Sequence, residues 1–220
     1  MTSSTLLPDV NPFSTRFVRP GAIAYLFPAG TSADELLDRF VRSGRRGAIV
    51  GPHGSGKSTL LSALREALER RGRPVVVFTL RAGQRSLPLD RSGLDCTGLD
   101  CTGLDCAGLD QTSVDSWDST TDVLIDGYEQ LGLWQRVRLH VACWRKGCGL
   151  LVTSHGPVQL PTLIVTEVTL ALAMRIVAQI GGSRCPALPP EALAQLLARR
   201  RGNLREVLFD VYDLYRSQRS

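Results

Sequence analysis

Lysine is nearly missing from this chain: Lys57 and Lys146 are the only two, although basic residues number 26 of 220. The basic excess is therefore arginine. Spread along the chain to a net charge of +5, it describes a solvated surface better than a nucleic-acid footprint, so DNA or RNA binding is not indicated. Long apolar runs are missing too. No stretch of about 18 apolar residues occurs, so no membrane span is expected. Met1 to Arg19 carries no apolar core of signal-peptide length. Six cysteines are present. Cys96, Cys101 and Cys106 fall in a short repeat, while Cys143, Cys148 and Cys185 show no Cys-x-x-Cys spacing, so a disulfide framework is not expected and a reduced, cytoplasmic chain is. A 43% hydrophobic and 21% charged composition is that of a globular chain able to bury a core without staples.

What is there begins with an irregular arm over residues 1–30, rich in Pro, Ser and Thr, whose Phe13, Phe17, Tyr25, Leu26 and Phe27 suggest packing on the body. Ser32 to Val41 reads as a helix, with Ser32 as cap, Glu35 three residues later and Leu36, Leu37, Phe40 and Val41 on one face. Ala48-Ile49-Val50 then leads into a glycine-rich turn. Ser58 to Arg71 has leucines at 60, 61, 64 and 68, and Val75 to Leu80 is an almost unbroken β-branched run. Strand, loop, helix and strand in that order make a βαβ unit and a parallel sheet. Further strands are expected at 123–126, 149–153 and 161–165, with helices over 129–144, 167–180, 191–200 and 204–216. Residues 92–112 read SGLDCT, GLDCT, GLDCA, GLDQT, a five-residue tandem repeat. No histidine neighbours it and Cys-x4-Cys-x4-Cys is not a common zinc spacing, so a duplicated loop insertion is preferred to a metal site. The expected organisation is an arm (1–30), a core (31–165) containing that insertion, and a helical lid (166–220).

Gly51-Pro52-His53-Gly54-Ser55-Gly56-Lys57-Ser58 fits GxxxxGK[ST] at every fixed position. The spacing has a physical cause. Main-chain N–H groups must curl about a phosphate, and side chains at Gly54 or Gly56 would obstruct that approach. The following helix turns its positive end to the anion. Lys57 is placed for the β- and γ-phosphates, Ser58 for Mg²⁺, and Thr59 for the α-phosphate. Gly51, Gly54, Ser55 and Gly56 complete the cradle. Downstream, Asp122-Val123-Leu124-Ile125-Asp126 is an apolar strand ending in a carboxylate suited to a metal's water shell. The next position, where an acid commonly activates water, holds Gly127, leaving Glu129 as the candidate base. Gly149 to His155 ends in Thr153-Ser154-His155, polar groups at the ligand end of a parallel strand, so Thr153, Ser154 or His155 is expected to read the γ-phosphate or position water, His155 being the next candidate base after Glu129.

With these motifs the chain resembles the P-loop ATPases in which an extra strand separates the strand before the phosphate loop from the strand ending in the metal-holding Asp. Within that group it resembles the AAA-type and origin-recognition-type ATPases over roughly residues 20–216, on GPHGSGKST, VLIDGYEQ, LLVTSH and Gly202-Asn203-Leu204-Arg205-Glu206. The resemblance implies an α/β three-layer sandwich with a mainly parallel sheet of about five strands and a small C-terminal helical lid. It implies ATP and Mg²⁺ as ligands, Mg-dependent hydrolysis coupled to lid movement, and Arg205 as the residue meeting the γ-phosphate. An arginine finger from a neighbouring subunit would come from Arg136, Arg138, Arg145 or Arg175, and a protein partner and oligomer fit the same picture. The absence of NKxD favours ATP over GTP, and the absence of LSGGQ excludes the ABC ATPases. A small metabolite kinase and a nucleotide-gated binding module with little turnover are the alternatives.

Overall fold

The protein is described here by a computed structural model covering residues 24–87, 114–182 and 188–217. Two compact units emerge. One holds residues 27–51 and 60–165; the other holds 24–26, 52–59 and 166–217 among the described residues.

The first unit is built on a five-stranded sheet. Its strands are β1 (Arg46–Val50), β2 (Val75–Thr79), β3 (Asp122–Asp126), β4 (Gly149–Ser154) and β5 (Thr162–Val165), in the order β2-β3-β4-β1-β5. Every pairing is parallel. β4 therefore separates β1 from β3, with Ala48 beside Val152 and Leu124 beside Leu151. The near-continuous apolar runs of β3 and β4 follow from burial on both faces. Ala48, Val50, Val123, Ile125, Leu150 and Val152 join one core cluster with Leu139 and Cys143. Ile49, Leu124 and Leu151 alternate with them and are also fully buried, on the opposite face.

Helix α1 (Ala33–Arg42) starts where Ser32 Oγ accepts the Glu35 N–H at 3.1 Å, and it contacts β1 and β5. Helix α2 (Lys57–Arg70) follows the phosphate loop and buries Leu60, Leu61, Leu64, Ala67 and Leu68. A further helix expected over 129–144 begins later. Gly127 is left-handed (φ 83°), Tyr128–Gln130 form one 3-10 turn, and Leu131 and Gly132 are extended, so α3 runs Leu133–Lys146. Glu129 is thus a turn residue and not a helical one. At the other end of the sheet Asp122 is fully buried. Its carboxylate accepts from Arg45 Nε (3.1 Å) and Nη2 (2.6 Å) and from Arg73 Nε. A side chain at Gly149 would place its Cβ 2.0 Å from Asp122 Oδ1.

The second unit is helical: α4 (Leu170–Gly181), α5 (Pro190–Arg199) and α6 (Leu204–Ser217). Thr169 caps α4 by accepting the Leu172 N–H at 3.2 Å, so this helix starts three residues after the expected Glu167. Ala173, Val177, Leu193, Leu197, Leu204, Val207, Leu208 and Val211 form its core. No helix among the described residues is long and apolar enough to cross a membrane. Phe13, Phe17, Cys185 and the pentapeptide repeat lie outside the described residues.

Candidate functional site

The phosphate loop starts where β1 ends. The Gly51 N–H donates to the Ser154 carbonyl at 3.1 Å, fixing the loop's entry to the end of β4 within the sheet unit. Residues 52–59 belong to the helical unit. There the loop is held by its own side chains: Ser55 Oγ donates to the Pro52 carbonyl at 2.8 Å and lies 2.7 Å from Thr166 Oγ1. Lys57, only 7% exposed, donates from Nζ to the same carbonyl at 2.6 Å. Gly54 (φ 70°) and Gly56 (φ 90°) are both left-handed, a conformation that L side chains resist. A Cβ on Gly54 would fall 1.9 Å from Asn203 Oδ1, and one on Gly56 would fall 3.5 Å from the Tyr25 ring. Burial pushes the Tyr25 hydroxyl's pKa up.

Asn203 caps α6, accepting the Glu206 N–H at 3.4 Å. Its role in forbidding a side chain at Gly54 has no sequence signal, and neither has the Ser55–Thr166 pair. Arg205, on the first turn of α6, is exposed and makes no hydrogen bond or ion pair among the described residues. Ser58 and Thr59, at the start of α2, are partly buried.

The acidic candidates sit in the sheet unit. Asp126 Oδ1 accepts from Thr153 Oγ1 at 2.6 Å, and that oxygen accepts the Gly127 N–H at 2.9 Å. Thr153 is therefore coupled to the carboxylate at the neighbouring strand end, with 1% exposure. Ser154, also buried, takes the Gly156 N–H at 3.4 Å. Glu129 and His155, two separate candidates in sequence, form one pair: Oε1 lies 2.9 Å from Nδ1. Glu129 Oε2 is buried without a hydrogen-bond partner, an open acceptor of the sort a positioned water would fill. The absence of an acid after Asp126 has a local cause. Gly127 has φ 83°, and a Cβ there would stand 2.9 Å from the Leu80 carbonyl oxygen.

Arg136 is committed elsewhere. It donates from Nε to the Leu131 carbonyl at 2.9 Å and from Nη2 to the Glu129 carbonyl at 3.0 Å, with its guanidinium 5.0 Å from the Tyr128 ring centre. Tyr128 Oη in turn lies 3.0 Å from His140 Nε2, whose pKa is pushed down by burial and then by Arg46. Arg136 therefore locks the turn that presents Glu129. Arg138, Arg145 and Arg175 are exposed.

The Asp126 carboxylate on β3 and the Ser58 hydroxyl at the head of α2 are each oxygen donors of the kind Mg²⁺ takes. Among the described residues no group of three or more His, Cys, Asp or Glu could hold a metal by itself.

A family model described as an AAA domain matches residues 32–155. No curated protein matches the chain. Solved structures do. A DNA replication initiation factor is similar at 13% identity and a TM-score of 0.50, over 84% of this chain and 63% of that one. A Walker-type ATPase of Pyrococcus abyssi, PABY2304, is similar at 12% identity and a TM-score of 0.50, over 90% of this chain and 69% of that one. AMPPCP-bound DnaA from Aquifex aeolicus gives 12% identity and a TM-score of 0.49, over 85% and 62%. The chain thus spans less than two thirds of the replication initiation factor's length, and at such identities the likeness concerns the fold. The family match covers more than half of the chain, and β4 separates the phosphate-loop strand from the strand ending in Asp126. The chain belongs to the AAA domain family of P-loop ATPases.

Proposed function

We propose that the protein hydrolyses ATP with Mg²⁺ and couples nucleotide state to movement of α4, α5 and α6. The observation that carries this reading is the loop itself. Two left-handed glycines, a buried lysine and a helix start follow one another directly after β1. Main-chain N–H groups over Gly54 to Ser58 hold phosphate oxygens, and Lys57 exchanges its bond to the Pro52 carbonyl for the β- and γ-phosphates. Ser58 Oγ and the Asp126 carboxylate hold the cation, Thr153 orienting Asp126 through their hydrogen bond. Mg²⁺, when bound, neutralises charge developing on the phosphates. Glu129 accepts a water proton on Oε2, while His155 fixes Oε1. Arg205 supplies a cation to the γ-phosphate. The lid would sense the loop through Asn203 at Gly54 and Thr166 at Ser55, both contacts lying within the helical unit. Its movement is proposed to act on a protein partner.

A second reading is a nucleotide-gated binding module with little turnover. It is favoured by the left-handed Gly127 at the position where an acid commonly activates water. Phosphate release and binding of a fluorescent ATP analogue, measured on the parent and on Lys57→Ala, separate the readings. Loss of both in a folded Lys57→Ala is expected. Unchanged affinity and release in that variant would remove the assignment; tight binding by the parent with no phosphate release would leave the second reading.

A further inference from the structure

Two cysteines of the sheet unit take no part in the nucleotide site. Both are free thiols, Cys143 fully buried and Cys148 2% exposed, in the core cluster with Leu139 and Leu150. The end of α3 brings them together. Gly147 is left-handed (φ 68°), and its N–H donates to the Trp144 carbonyl at 3.2 Å. A helix ended in this way sets the residue after the glycine against the residue five positions before it, and here these are Cys148 and Cys143. The Cys148 thiol donates to the Cys143 carbonyl at 3.7 Å, and the two thiols also hydrogen-bond each other. A disulfide needs two Cα atoms within about 7 Å and side chains that face one another, and a helix end closed over five residues meets both conditions.

Buried cysteines commonly serve as small apolar side chains. Charge sets this pair apart. Arg46, which opens β1, has one guanidinium nitrogen buried without a hydrogen-bond partner. The Cys148 pKa is lowered first by the Cys143 hydrogen bond, against burial, with the charges of Arg46 and Arg45 adding. That of Cys143 is raised by the same bond and then by burial. One thiol is thus set to lose its proton and its neighbour to keep it, the division between an attacking and a resolving cysteine. Arg46 also lines an open hollow of about 310 Å³ with His140, Val141 and Trp144, which gives a co-reactant of a few atoms access to the guanidinium. We propose that Cys143 and Cys148 are a redox-active dithiol, oxidised by hydrogen peroxide to a disulfide that staples the last turn of α3 to the start of β4. The Cys148 thiolate attacks one peroxide oxygen, the O–O bond breaks, and the departing hydroxide takes up the proton that Cys148 had released. The resulting sulfenic acid is attacked by the Cys143 sulfur, the S–O bond breaks, and the Cys143 proton leaves with the hydroxide as a second water. Two thiols and one peroxide give one disulfide and two waters, sulfur being oxidised and peroxide oxygen reduced. The step is independent of nucleotide binding or turnover.

The test uses the full chain with Cys96, Cys101, Cys106 and Cys185 changed to Ser, which leaves these two thiols. Hydrogen peroxide is added to the folded protein, catalase stops the reaction, and remaining thiols are alkylated with N-ethylmaleimide in urea before mass spectrometry. The expected product has lost two hydrogens, takes up no alkylating agent, regains both thiols with dithiothreitol, and forms at a rate independent of protein concentration. Two alkylatable thiols after peroxide, sulfinic acids in place of the link, closure only in the urea-unfolded chain, or a link between two molecules would each overturn the proposal. In Cys143→Ser the sulfenic acid persists on Cys148 and is trapped by dimedone, whereas Cys148→Ser gives no such adduct on Cys143; the reverse labelling overturns the roles. Arg46→Gln, its fold checked by circular dichroism, closes about tenfold more slowly, the change in thiolate fraction for one pKa unit, and Arg46→Lys recovers much of that rate. Equal rates in Arg46→Gln and the parent overturn the part given to the guanidinium.

Discussion

Replacing Gly54 with alanine tests whether the phosphate loop and the cap of α6 are one structural object. An L residue at φ 70° costs about 1–2 kcal/mol in the left-handed region. The new Cβ would also stand 1.9 Å from Asn203 Oδ1, so Asn203 must leave its position and release the Glu206 N–H, at about 1 kcal/mol for a lost cap. The expected loss is about 2–3 kcal/mol in urea unfolding. Repeating the substitution in an Asn203→Gly background isolates the second part. Glycine is a tolerated cap and has nothing to collide with, so the cost of Gly54→Ala there falls to about 1–2 kcal/mol of backbone strain. The difference between backgrounds is the coupling energy. Equal costs in both would refute the claim that Asn203 is what excludes a side chain from the loop.

Three other outcomes are expected. Glu129→Gln binds ATP as the parent does but releases phosphate about 10²- to 10⁴-fold more slowly; His155→Gln shares the defect, and the double variant is no slower than Glu129→Gln, whereas multiplied defects would show that the pair does not act as a unit. Asp122→Asn leaves Arg45 and Arg73 without their buried countercharge and costs about 3–5 kcal/mol, seen as a lowered urea midpoint; an unchanged midpoint would show the triad to be energetically idle. Asp118, exposed and bonded by the hydroxyls of Thr120 and Thr121 and then by their N–H groups, has its pKa lowered from 3.8 to about 2. Its folded value lies below its unfolded one, so its contribution is complete above about pH 4 and disappears as pH falls toward 2. Asp118→Asn should flatten that part of a pH-stability profile, and an unaltered slope would deny the contribution.

Much of the fold was legible because its signals are local. The Ser32 cap and the β-branched β2 run each specify their own backbone: Ser32 caps its helix as read, whereas β2 (Val75–Thr79) is an edge strand with Val75 and Val77 only partly buried, because it has a neighbour on one side alone. The late start of α3 was not legible. The apolar period continues through Leu131, while Gly127 and Gly132 take conformations that only the assembled chain imposes. Nor does periodicity say which side of a stripe faces water. On α3, Val137, Val141 and Trp144 are exposed, whereas Leu139 and Cys143 are buried. At the candidate site, sequence put Glu129 and His155 on separate elements with separate roles; their pairing arises because β3 and β4 are neighbours, a long-range fact. Asn203 and Thr166 act through contacts with loop residues more than a hundred positions away, which no local pattern encodes.

The position of β4 has a consequence for how the chain is made. β1 bonds only to β4 and β5, and its partner for Arg46 is Leu150. A ribosome that has released everything up to Lys146 has therefore produced β1 with no strand to pair with, while β2 and β3 can already zip together. Closing the middle of the sheet must wait until β4 has emerged, and until then the strand leading into the phosphate loop is a sticky ribbon in need of shelter.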